Sequence, residues 1–259
     1  VVGRIFMGLT IEKTVRYDHM DVLKNIVSIC CQNDSKKYSF FYEEDDSYLF
    51  GHPGFFYFSD DSNNILGFIC LSGIDRQNFD VCGFVLPAYR NNGIFSQLLT
   101  AVKEEYKNIN LSFPLPAHCK NAAEVLRKNN FRYSDTECKM SLNLKNLIIY
   151  PSEFDIDITE SGKGAQQCAF FKDDFFVGSC SITLINDSYC ILSEVEIIKK
   201  YRGLGLGAHL INCLLGYLDE INIDKIILHV TKSNIPAFRL YQSMGFVVDS
   251  SLDYYCLNL

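Results

Sequence analysis

The sequence predicts an α/β (α+β) chain built from two tandem copies of one unit. Two observations carry this. Strand-like and helix-like runs follow the same order in both halves, and residues at the junctions recur at nearly constant spacing. Tyr89-Arg90 matches Tyr201-Arg202 and Gly93 matches Gly205, all at an offset of 112. Phe131 matches Phe246, and Leu142-Asn143-Leu144 matches Leu257-Asn258-Leu259, at an offset of 115. A matched loop, helix and terminal strand in one order is the mark of an internal duplication. The boundary falls near 145–151, giving domains 1–147 and 148–259.

In the first copy, 20–31 reads as a helix, and 54–59, 65–71 and 80–86 read as strands. Pro87-Ala88-Tyr89-Arg90-Asn91-Asn92-Gly93 is a turn leading into a helix over 95–105. A second helix is expected over 121–127 and a closing strand over 139–144. In the second copy, 154–159 alternates like a strand, and 167–171 with 175–184 forms a hairpin turning at Lys172-Asp173-Asp174. A strand over 189–198 follows the turn Asn186-Asp187-Ser188. Apolar residues at helical spacing (Leu210, Ile211, Leu214, Leu215, Leu218) mark a helix over 209–218. A buried strand spans 225–231. The helix over 237–244 is opened by Asn234 and Pro236 and closed by Gly245. A last strand covers 253–259. Nothing in the second copy matches the first helix.

The chain has 259 residues, 48% of them hydrophobic and 14% aromatic, ample for packed cores. The formal net charge of −7 argues against nucleic acid as a partner, since such binders show a basic face. An anionic ligand must therefore be held by local groups. Eleven cysteines at irregular spacings, several inside apolar runs, read as reduced thiols in a cytoplasmic protein. No apolar run approaches the roughly 18 residues of a membrane helix, so no membrane association is expected. Arg4 and Glu12 make a poor signal peptide. Five scattered histidines show no metal-ligand spacing, and no metal is expected. Glu43-Glu44-Asp45-Asp46 reads as a solvated loop, and Lys199 and Lys200 as strand-end charges that could also sit near phosphates.

The most informative segment is Arg202-Gly203-Leu204-Gly205-Leu206-Gly207-Ala208, between a strand and a helix. The first helical turn leaves amide hydrogens without partners, the helix dipole adds positive character, and glycines let phosphates approach. The segment also fits the dinucleotide pattern G-x-G-x-x-A. That reading needs an acid at the end of the next strand for a ribose, but that strand ends His229-Val230-Thr231.

Arg-Gly-x-Gly-x-Gly opening a helix, followed by Asn234, Ala237, Leu240, Tyr241, Gly245 and Phe246 at every expected spacing, resembles the GNAT acyl-coenzyme A N-acyltransferases. The likeness is strong over 189–259 and looser over 54–144. It implies two tandem GNAT-like domains, each a mixed, mostly antiparallel sheet flanked by helices. It implies acetyl-CoA as cosubstrate, its pyrophosphate on the amides of Gly203, Leu204, Gly205, Leu206 and Gly207, with Arg202, Ala208 and Asn234 also at the cofactor. Its pantetheine arm would lie between the splayed strands 189–198 and 225–231, and the amide of Ile197 would polarise the thioester carbonyl. Tyr241 would protonate the leaving thiolate, and Glu194 or Glu196 would take the amine proton. The acceptor would be a small-molecule or peptide amine, with direct transfer in a ternary complex.

The two copies are not equivalent. At these offsets Glu194 falls on Cys82, Glu196 on Phe84, Tyr241 on Leu126, Asn234 on Cys119 and Gly207 on Phe95. Catalysis is expected in the second copy alone, while coenzyme binding by the first is left open. The rival reading is a non-catalytic coenzyme A sensor or scaffold. A duplicated chain can make internally the contact that single-domain relatives make by pairing, so a monomer is expected.

Overall fold

A computed structural model of the chain describes residues 7–12, 17–35, 38, 54–145, 147–162 and 164–259. Arg4 and the acidic stretch Glu43, Glu44, Asp45 and Asp46 lie outside these. Two compact units form: Val1–Ser134 with Asp253–Leu259, and Asp135–Leu252.

The first unit contains β1 (Met7–Glu12), α1 (Tyr17–Asp34), β2 (Phe55–Asp60), β3 (Ile65–Gly73), β4 (Asn78–Val85), α2 (Ile94–Glu105), β5 (Asn110–Pro116), α3 (Lys120–Lys128) and the start of β6 (Arg132–Asn143). Strands β1 to β4 pair antiparallel in sequence order, and β5 joins β4 in parallel. Both sheet faces are covered. Helices α2 and α3 pack on one through Leu98, Leu99, Val102, Ala123 and Leu126. On the other, Leu23, Ile26, Val27 and Cys30 of α1 pack on Phe55, Tyr57, Phe68 and Cys82.

The second unit contains the rest of β6, then β7 (Asp155–Gly162), β8 (Ala165–Lys172), β9 (Phe175–Asn186), β10 (Tyr189–Ile197), α4 (Leu206–Glu220), β11 (Lys225–Thr231), α5 (Ile235–Ser243) and the first part of β12 (Val247–Asn258). The strand order is β6-β11-β10-β9-β8-β7, with β10 and β11 parallel and the other neighbours antiparallel. Both helices pack on one core, where Leu210, Ile211, Leu214 and Tyr241 meet Cys180, Ile182, Cys190, Leu192 and Leu228. The opposite face, with Gln167, Glu194 and Glu196, has no helix over it among the described residues of this unit.

Closing strands explain why these units differ from the repeats 1–147 and 148–259. β6 belongs to the first repeat in sequence, yet its Cys138, Met140 and Leu142 lie in the second core opposite Val230, Leu228 and Ile226. The end of β12 instead packs in the first unit, where Tyr255 is buried and Leu259 N–H donates to Ile109 O at 2.9 Å. The strand β5, with Pro114 and Pro116, escapes the sequence reading because proline argues against a paired strand. Its pairing with β4 covers only Asn110–Ser112, ahead of both prolines. The eleven cysteines form no disulfide among the described residues, and all but Cys31 and Cys256 are buried as small apolar groups. No helix of the described residues is long and apolar enough to cross a membrane.

Candidate active site

The site of the second unit begins where β10 leaves β11. Parallel pairing runs only from Tyr189↔Lys225 to Leu192↔Leu228, although both strands continue beyond it. On its other edge β10 carries a bulge. Ser193 pairs with Ser181 and Glu196 with Ser179, so Glu194 and Val195 together face Cys180. Side chains alternate along a strand, so without the extra residue Glu194 would share the buried face of Leu192. The bulge resets the phase. Glu194 and Glu196 are exposed while Val195 and Ile197 pack on the core. Opposite, the backbone comes so close that a Cβ on Gly178 would sit 2.2 Å from Glu196 O.

Glu194 sits at φ 51°, the left-handed region that disfavours residues with a Cβ. Every other non-glycine residue with positive φ among those described is Asn, Asp or Ser. A bulge of this kind ordinarily uses glycine. A side chain as long as glutamate is held there at a cost of about 1–2 kcal/mol. Glu194 Oε2 accepts a hydrogen bond from Ser181 Oγ, which accepts one from Gln167 Nε2 at 2.8 Å. Glu196 is tied elsewhere, by Arg202 Nη2 at 3.0 Å.

After β10 the chain makes a 3-10 turn at Lys199–Tyr201, and Gly203 and Gly205 at φ 80° and 78° swing it into α4. A Cβ on either glycine would meet no atom within 4 Å, so the turn presents open backbone. Ala208 N–H turns back to Gly205 O at 3.1 Å, leaving the amides before it as the outward donors of the helix start. Leu204 lies exposed between the two glycines. Gly207 serves packing instead: its Cβ would lie 3.0 Å from Leu240 of α5. Arg202 braces the turn, donating from Nε to Ile197 O at 2.7 Å. Successive amides of a strand point to opposite sides. Ile198 N–H reaches Val177 O on β9 at 3.0 Å, so that of Ile197 faces the side β11 has vacated.

Asn234 caps α5, its Oδ1 accepting from Ala237 N–H at 3.3 Å. The helix stops at Gly245, φ 90°, where Phe246 N–H returns to Tyr241 O at 3.0 Å. The Phe246 ring then meets the Tyr241 ring edge-on at 5.6 Å, fixing the phenol. Burial, reinforced by the nearby Cys180, pushes the Tyr241 phenol up to about 12. At neutral pH it therefore carries its proton.

Comparison with known proteins agrees with this geometry. The model of the acetyltransferase (GNAT) family matches the chain twice, over residues 20–124 and 137–246. The chain belongs to the GNAT family. A relative, the mycothiol acetyltransferase of Thermobispora bispora, is 26% identical over 151 residues, 52% of this chain and 50% of that protein. The chain spans about half or less of the curated relatives it matches. Among solved structures, a GCN5-related N-acetyltransferase from Sphaerobacter thermophilus aligns with TM-score 0.69 at 12% identity, covering 97% of this chain and 95% of that one. A tandem GNAT protein from the clavulanic acid biosynthesis pathway aligns with TM-score 0.60 at 13% identity, over 97% and 98%. At such identities these structures speak for the fold.

The first GNAT repeat keeps the backbone path of the site but carries different side chains on it. A 3-10 turn at Pro87–Tyr89 leads through Asn91 (φ 63°) and Gly93 (φ 78°) into α2, and Arg90 Nε braces Val85 O at 3.1 Å. β4, however, pairs with β3 without a bulge. The core-facing residues then align Val81 with Leu192 and Val85 with Ile197, so a single offset of 112 across this strand is corrected. Cys82 is the counterpart of Ser193, and Glu194 is the inserted residue, absent from the first repeat. Phe95 stands in for Gly207, its ring against Phe113 at 6.2 Å, and buried Leu126 stands in for Tyr241. The space between β4 and α3 is bridged by Tyr38, whose ring meets Phe84 at 5.8 Å and whose hydroxyl lies 3.8 Å from Cys119 Sγ at the start of α3.

Sequence reading missed Ser181, Gln167, Asp34 and Tyr38, because cross-strand and loop partners have no spacing to betray them. Asp34 accepts from Tyr38 at 3.0 Å and from both terminal guanidinium nitrogens of Arg90, Nη1 at 2.6 Å and Nη2 at 3.0 Å. The Arg90 hydrogen bonds hold the Asp34 carboxyl below the usual carboxylate range. A carboxyl lowered in the folded state stabilises above its unfolded value, and that contribution fades as pH falls through the folded value. Asp34→Asn should therefore lower the melting temperature by a few degrees at pH 7, with the gap to wild type closing below about pH 4 in thermal melts across pH.

Proposed function

We propose that the second repeat transfers an acetyl group from acetyl-CoA to a primary amine, directly and within a ternary complex. The observation that carries this reading is Glu194, a carboxylate held in a strained bulge beside the opened strands. Amides of Gly203, Leu204, Gly205, Leu206 and Gly207 bind the pyrophosphate, and Arg202 and Asn234 hold that loop and the start of α5 in shape. Ala208 closes the first turn behind them. The pantetheine arm lies between β10 and β11. Ile197 N–H donates to the thioester carbonyl as it gains negative charge. Glu194 takes the amine proton, directly or through water, while the nitrogen forms its bond to the acetyl carbon. Glu196, drawn to Arg202, supports the loop. The carbon–sulfur bond then breaks, and Tyr241, protonated through burial, gives the thiolate its proton. The first repeat, with Tyr38 across its slot, supports the fold without binding the coenzyme. The chain acts as a monomer in the cytoplasm.

Tyr241→Phe tests this reading. Thiol release should slow by about tenfold to a hundredfold, with coenzyme A affinity within about twofold of wild type. Because the phenol keeps its proton up to about 12, no loss of rate below pH 10 should trace to Tyr241. Unchanged turnover would remove it from the mechanism.

A further inference from the structure

We propose that Ser181, with Gln167 behind it, is a positioning residue that aims the Glu194 carboxylate at the acceptor amine. This deepens the reading of Glu194 as the base and rests on it. Gln167 stands directly opposite Ser181 on β8 and β9, and Ser181 directly opposite Ser193 on β9 and β10. The three form a polar row across the outer face of the sheet, ending at the bulge.

The direction of the hydrogen bonds follows from chemistry. The Gln167 amide nitrogen can only donate, and it gives a hydrogen to Ser181 Oγ at 2.8 Å. An ionised carboxylate can only accept, so Ser181 gives its single hydroxyl hydrogen to Glu194 Oε2. Oε1 of Glu194 receives no hydrogen bond from the described residues and stays available to a substrate. Although it lies on the sheet face without a helix, Ser181 is only 8% exposed. A hydroxyl so buried has little water to turn to, so its bond to Glu194 is not easily exchanged.

The bulge alone cannot do this. It sets the direction of the Glu194 Cα–Cβ bond, while the remaining torsions of a glutamate stay free at a cost in entropy when fixed. Reaction rate is sensitive to such looseness, since a displacement of about 1 Å can cost about a hundredfold. The first repeat shows what the row becomes when no base is needed. There Phe55 stands opposite Cys70, and Cys70 opposite Cys82, and all three are buried under α1. The polar row and the carboxylate it serves are present together in one repeat and absent together from the other.

The test is steady-state kinetics with acetyl-CoA and a polyamine, an amino sugar or a peptide amine, whichever supports turnover. Ser181→Ala, Ser181→Thr and Gln167→Ala are each made in wild type and in Glu194→Gln. Ser181→Ala should lower kcat about tenfold with KM for acetyl-CoA within about twofold, and Ser181→Thr should restore most of it. Gln167→Ala should cost about twofold to threefold. In the Glu194→Gln background Ser181→Ala should cost nothing further, because the group it positions is gone. An equal loss in both backgrounds, or an effect carried by KM for acetyl-CoA, would overturn the positioning role and leave Glu194 as base. Full turnover in Glu194→Gln itself would overturn both.

Discussion

Glu194→Gln should lower amine-dependent turnover by about a hundredfold or more, while coenzyme A affinity, read by calorimetry, should stay within about twofold of wild type. The substitution keeps size and hydrogen-bonding reach but removes the ability to take a proton. Glu196→Gln should cost only a few-fold, because that carboxylate is already committed to Arg202 at 3.0 Å on the protein surface. Glu194→Gly separates chemistry from stability. At φ 51° glycine relieves the left-handed strain, which offsets the added chain entropy and the loss of the acceptor for the Ser181 hydroxyl, so the variant should melt close to wild type. It should be as inactive as Glu194→Gln. A residue whose loss abolishes turnover without loss of stability is a group retained for function.

The second large effect comes from a matched pair. Gly205 and Gly93 both sit at φ 78° as the residue before a helix, so aspartate imposes the same backbone strain at each. At Gly205 the new side chain would project into open space, at the proposed place of the coenzyme phosphates. Like charges brought together there cost several kcal/mol, so Gly205→Asp should raise KM for acetyl-CoA about a hundredfold or abolish measurable activity. Gly93→Asp should leave KM within about twofold, because Tyr38 bridges the corresponding slot of the first repeat. A calorimetric stoichiometry near one coenzyme per chain, unchanged in Gly93→Asp, is the matching binding result.

Much of this was legible in the sequence, for identifiable reasons. The turn Arg202–Gly207 and the motif from Asn234 to Phe246 around α5 declare themselves through residues with special backbone duties. Gly203, Gly205 and Gly245 occupy positive φ, and Asn234 caps a helix. Such duties depend on a few neighbours in the chain, so spacing alone reveals them. Glu194 and Glu196 alternate with Val195 and Ile197, which puts two carboxylates on one strand face. That alternation could not show that one sits in a bulge, since that depends on counting residues against β9. The same hidden insertion made Cys82 look like the partner of Glu194. Ser181, Gln167, Tyr38 and Asp34 act through partners 13 or more residues away or through loops, as in the Ser181–Glu194 bond and the Asp34–Arg90 clamp. The strand β5 was hidden by two prolines, and the closing strands by packing that follows core complementarity instead of repeat order.

The most direct test of the central claim is mass spectrometry of a panel of polyamines, amino sugars, amino acids and peptide amines incubated with acetyl-CoA and the intact chain. At least one amine should be acetylated, in step with release of free coenzyme thiol, by wild type and Gly93→Asp, and about a hundredfold or more slowly by Glu194→Gln and Gly205→Asp. Coenzyme A binding with no acetylated product across the panel, or product formed by Glu194→Gln at the wild-type rate, would contradict the claim.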